Sequence, residues 1–146
     1  MKKSIIYLLA IILGITTSCS VNSDDNQDLQ NYKSLWHLRN VSGGVSGVND
    51  DFELETIVWS FDETTATLTV ENNNTDDTKE DALDSGTYSY SLAQVASRNY
   101  LSIDGTEVGE LTFSSQNTMV IDENELSTGS ASDGFKYTFQ RTLVAE

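Results

Sequence analysis

The chain has 146 residues, 38% of them hydrophobic and 21% charged, with a formal net charge of -15, which fits one globular domain. Eight basic against 23 acidic side chains exclude a nucleic-acid binder that works by neutralising phosphates, because the field has the wrong sign. One Cys and one His exclude an intramolecular disulfide, a Cys-based metal cluster and a multi-His site, and the absence of Pro excludes collagen-like and Pro-rich classes.

In chain order, residues 1–18 come first. Lys2 and Lys3 precede an apolar run from Ile5 to Ile15, and small polar residues lead to Cys19. A basic start, a short apolar stretch and a small-residue exit read as a secretory signal. The run falls short of the roughly 20 residues of a bilayer span; a short buried helix is the other reading. Ile15-Thr16-Thr17-Ser18-Cys19 resembles a bacterial lipobox with Thr16 where Leu is usual. The resemblance implies cleavage before Cys19 and lipidation of that residue, an anchor worth roughly 0.8 kcal/mol per buried CH₂. A secreted protein with an unmodified Cys19 is the alternative. Ser20 after the Cys resembles lipoproteins sent to the outer membrane, and Ser23-Asp24-Asp25 resembles the acidic export tag of Bacteroidota surface lipoproteins. Without Lys2 and Lys3 the mature chain carries six basic and 23 acidic residues, a net of -17. Residues 19–31 then form the lipidated Cys and a polar, acidic tether, whose last twelve residues have an r.m.s. reach of roughly 20 Å.

From Tyr32 the hydrophobic pattern has period two, and eight short strands are predicted. They are Leu35 to Val41, Leu54 to Asp62, Thr65 to Glu71, Thr87 to Leu92, Tyr100 to Ile103, Val108 to Phe113, Thr118 to Asp122 and Phe135 to Val144. Turn chemistry separates most of them, as at Asp104-Gly105 and Asp133-Gly134. Gly43 to Asp51 reads as a Gly-rich, mobile loop and Asn72 to Ser85 as a long acidic one. A helical turn is conceivable only at Asp81 to Asp84 or Leu92 to Ser97. Strands joined by tight turns favour antiparallel neighbours, and closure removes both exposed edges. The predicted fold is therefore all-β: an eight-stranded antiparallel up-and-down barrel over residues 32–144, with a two-sheet sandwich as the alternative.

Five stretches, in this order, resemble the lipocalin-like lipoproteins of Bacteroidota. They are Leu35-Trp36-His37-Leu38, the Gly43 to Phe52 segment, Ile57-Val58-Trp59-Ser60-Phe61, Gly86-Thr87-Tyr88-Ser89-Tyr90 and Asp133-Gly134-Phe135 through Arg141. The chain has Ser34-Leu35-Trp36 where lipocalins proper have Gly-x-Trp. The resemblance implies a lipocalin or calycin barrel in which Arg141 on the last strand stacks over Trp36 on the first and plugs the barrel end; an Arg141 past the rim in solvent is the alternative. Such a cation–π contact is worth roughly 0.5–2 kcal/mol.

Chemistry-bearing motifs are few. His37 follows Trp36 and is expected on the outer, solvated face, with no visible partner for general-base work. The pairs Glu53/Glu55, Asp50/Asp51, Asp76/Asp77 and Glu123/Glu125 are what 23 acids produce by chance, so no carboxylate-pair enzyme is expected. Asn72 to Asp77 and Asp50-Asp51 offer oxygens for calcium but lack the spacing of a calcium loop. No catalytic residue, metal or cofactor is expected. The aromatic residues are the remaining lead: Trp59, Phe61, Tyr88, Tyr90, Phe113, Tyr137 and Phe139 point inward, where they either line a pocket for a small apolar ligand or fill the core.

The expected protein is a non-enzymatic lipoprotein, held to the outer membrane at the cell surface by its lipid, with a small hydrophobic molecule as ligand. The alternative is a surface module with a filled core, whose acidic loops contact a protein partner.

Overall fold

The computed structural model describes residues 31–115 and 117–146. Cys19 and nearly all of the tether lie outside them. Eleven strands follow in order: β1 (Tyr32–Gly43), β2 (Val48–Asp51), β3 (Ile57–Asp62), β4 (Thr67–Asn72), β5 (Gly86–Val95), β6 (Arg98–Ile103), β7 (Thr106–Ser115), β8 (Thr118–Asp122), β9 (Glu125–Leu126), β10 (Gly129–Ser130) and β11 (Phe135–Ala145). Eight of them, β1, β3 to β8 and β11, form a closed antiparallel up-and-down barrel, the lipocalin and calycin topology. The sandwich alternative is excluded by the closing seam. β11 pairs with β1 along its whole length, from Tyr32↔Ala145 to Gly43↔Phe135, with one register slip between Leu38 and Asn40.

The opposite seam of β1 is short. Only Trp36↔Trp59 and His37↔Val58 join it to β3, and β2 covers the same edge farther along, from Asn40↔Asp51 to Gly43↔Val48. The predicted mobile loop Gly43 to Asp51 is thus a hairpin. Its strand Val48-Asn49-Asp50-Asp51 has no apolar alternation, because β2 packs on an edge rather than over the core. The β9–β10 hairpin escaped the pattern for the same reason. Leu54, expected in the second strand, sits in a turn and is 46% exposed. The helical turn considered at Leu92 to Ser97 is instead the end of β5 and a two-residue hairpin turn. Ala96 and Ser97 both take positive φ, 49° and 68°, a left-handed conformation that Ala-Ser does not advertise.

Antiparallel order places the connections at two ends. The turns after β3, β5 and β7 share one end with the start of β1 and the finish of β11. The other end holds the β1–β2 turn, the loop 73–85, the Asp104-Gly105 turn and the segment between β8 and β11. This second end is plugged: Phe52 is buried there, and Ala82, Leu83, Phe135 and Val108 pack against the core. The loop 73–85 is fixed to β2 by the Glu80 backbone N–H donating to the Asp50 carboxylate (3.0 Å) and by Lys79 Nζ donating to the Asp51 carbonyl (2.7 Å). Leu38, Val41, Ile57, Trp59, Leu68, Leu101, Met119, Ile121 and Phe139 fill the middle, each almost or fully inaccessible.

A cavity at the open end of the barrel

The inward faces of the strands carry apolar residues right up to the open end, and there the packing stops. A cavity of about 650 Å³ remains, walled by Trp36, Phe61, Tyr90, Leu92, Leu111, Phe113 and Met119. This volume lies within the range of small-molecule sites, about 300–1,000 Å³. Trp36 meets Phe113 at a ring separation of 5.6 Å, and Phe61 meets Tyr90 edge-on at 5.0 Å. Leu92 and Phe113 each stay 55% exposed although they sit on the inward face, because nothing opposite fills the space. The rim is polar, with Lys33, Ser34, Asp62, Glu63, Thr64 and Glu146. Asp62 caps its turn: bonds from Thr65 and Thr64 hold its carboxyl below the usual range. Burial first, then the nearby Glu63 and Asp62, pushes the Tyr90 phenol up, so it stays protonated and can donate a hydrogen bond.

Arg141 borders the same cavity. It is the direct cross-strand partner of Trp36, and its guanidinium carbon lies 5.8 Å from the indole ring centre. Its Nη2 donates weakly to the Asn117 side chain (3.4 Å). Its buried Nε has no hydrogen-bond partner among the described residues. The pair belongs to the wall of an open space rather than to a sealed barrel end.

The structure divides the seven predicted pocket aromatics by height along the barrel. Phe61, Tyr90 and Phe113 line the cavity. Trp59 and Phe139, in tilted contact with ring centres 4.8 Å apart, belong to the solid middle. The buried Trp59 Nε1 has no partner among the described residues. Tyr137 lies toward the plugged end, where its hydroxyl donates to Glu123 (3.1 Å); burial and the Glu123 charge raise its pKa far above the usual value. The Tyr88 hydroxyl donates to the Asp84 carbonyl (2.9 Å), beside the long loop. Alternation gives the face but not the height, so Leu92, Leu111 and Met119 were missed. They occupy the same inward face nearer to the open-end turns, and this was the available signal.

His37 points outward but is not solvated: it is 3% exposed. Its Nδ1 accepts the Glu55 amide (3.3 Å) and its Nε2 contacts the Thr142 hydroxyl (2.8 Å). An accepting Nδ1 requires the proton on Nε2, so this is a neutral imidazole donating to Thr142. Burial holds its pKa below 6.5 against the opposing pull of Glu55. Members of three acidic pairs serve the loops in which they lie. Asp76 accepts from Thr78 and Asp50 from Glu80. Among the described residues no three His, Cys, Asp or Glu side chains are grouped so as to hold a metal.

No protein-family model, no curated protein and no solved structure matches the chain. The likeness to lipocalins beyond the barrel topology therefore rests on the sequence motifs alone.

Proposed function

We propose that the protein is a lipid-anchored lipoprotein of the outer membrane, displayed at the cell surface, that binds a small hydrophobic molecule without catalysing its conversion. The observation that carries the binding is the open cavity, in whose wall Leu92 and Phe113 face inward and yet remain exposed. Folding leaves such surface in water at a cost of about 25 cal/mol per Å², and a ligand recovers it. The signal-like residues 1–18, with Cys19 at their end, support the anchor. The protein-partner alternative has less support, because the acidic loop 73–85 directs many of its polar groups inward, at β2 and at itself.

Native mass spectrometry of the chain from Asn22 onward, purified without detergent, tests the ligand. A co-purified apolar molecule is the expected result, and a bare mass unchanged by added apolar compounds contradicts the binding role. Incorporation of labelled palmitate into the full chain, lost in Cys19→Ser, tests the anchor separately.

A further inference from the structure

The cavity end of the barrel differs from the plugged end in three respects that point the same way. The first is exposed apolar surface. Tyr32, Leu92, Val95, Phe113, Leu143 and Val144 are the large hydrophobic residues exposed at strand ends around the cavity mouth, and together they make a collar. At the plugged end Val45 alone among the described large hydrophobic residues is comparably exposed, while Leu54 lies on the side wall beside His37. Clustered apolar surface of this kind marks a binding face.

The second is charge. Residues 48–51 and 76–84, both toward the plugged end, carry two and five carboxylates against the single cation Lys79. The rim of the cavity carries Asp62, Glu63 and Glu146 against Lys33 and Arg141. An anionic surface therefore repels the plugged end far more than the open one. The third is the path of the chain. β1 starts at the open end, and only residues 20–31 separate Tyr32 from Cys19. A lipid on Cys19 thus lies at most about 45 Å from the collar by chain length.

We infer that the open end of the barrel rests on the lipid bilayer, with Leu92, Val95, Phe113, Leu143 and Val144 dipping among the headgroups, so that the cavity fills with an acyl chain directly from the membrane. This rests on the anchor at Cys19 proposed above. The acidic plugged end then faces away into water.

The test couples the chain from Cys19 onward, through that single thiol, to a maleimide-headgroup phospholipid. The host vesicles contain phosphatidylethanolamine and phosphatidylglycerol with brominated acyl chains, which quench nearby tryptophan. Phe113→Trp and Leu143→Trp report the collar, and Val45→Trp reports the opposite end. All three sites are exposed, so none of the changes enters the core. The added emission of Phe113→Trp and Leu143→Trp is expected to fall about two-fold or more, because side chains that sit about 5–10 Å into the headgroup and acyl boundary meet the bromines, while Val45→Trp is unaffected. Equal emission on brominated and ordinary vesicles at all three positions, or quenching at Val45→Trp alone, overturns the inference. Because the coupling supplies the anchor chemically, failure here is distinct from failure of palmitate incorporation.

Discussion

Two side chains carry most of the information at the scale of single residues. Arg141 is held against Trp36 by a cation–π contact and by one weak hydrogen bond. Arg141→Met is expected to cost about 1 kcal/mol in urea unfolding, the middle of the cation–π range; unchanged stability refutes the stack. The contact was legible from two residues on the first and last strands. The open space beside it was not, because pairing says nothing of what fills the far wall. His37 makes a pH prediction. Its folded pKa lies below the unfolded value of 6.5, so between the two values the unfolded chain holds more protons. The contribution of the neutral ring is complete above 6.5 and is lost as the pH falls through the folded value. Urea midpoints should therefore drop as the pH is lowered from 8 through the His range, and His37→Gln should flatten that slope. As the only His, it gives the experiment a clean subject. Sequence placed this ring on the outer face correctly but assumed solvent there; the turn carrying Glu55 is what buries it.

At the scale of elements, the barrel depends on places where the backbone comes unusually close to itself. β7 has a register shift opposite Leu101 and Ser102, and Gly109 lies beside it. A Cβ on Gly109 would stand 2.2 Å from the Asp122 carbonyl oxygen, which is backbone on β8 and cannot swing aside. Gly109→Ala is expected to lower stability by about 2–3 kcal/mol, the upper part of the overpacking range, measured by chemical denaturation. A Gly inside a strand pattern is itself a signal of a bulge, though not of its partner. Leu38 on β1, fully inaccessible, gives the reference for the core: Leu38→Ala should cost about 3 kcal/mol, within the range for buried Leu. Elements that alternate over the core were readable because each residue has one wet and one dry face. β2, β9 and β10 were not readable, since they pack on edges and outer walls, where the hydrophobic pattern vanishes. The β9–β10 hairpin is held instead by Ser127 bonding to Glu107 and by Glu125 pairing with Arg98.

At the scale of the whole molecule, the described residues form a cylinder with unlike ends, one plugged by Phe52, Leu83 and Phe135, the other hollow. Eight strands and their closure followed from the number of short runs and the cost of open edges. The unlike ends required three dimensions, because they depend on which connections are long enough to fold back over the barrel. Its two β1 seams are also unequal: one is paired throughout, whereas the other has two residue pairs. The hollow end is the proposed binding place of an apolar molecule. Titration with the neutral fluorophore N-phenyl-1-naphthylamine tests this most directly, comparing the native chain with Leu92→Trp, which places an indole into the cavity from an exposed position on its wall. Saturable binding at one site, abolished in Leu92→Trp while the urea midpoint is retained, is the predicted result. No saturable binding to the native chain, or the same affinity in the filled variant, would contradict the account.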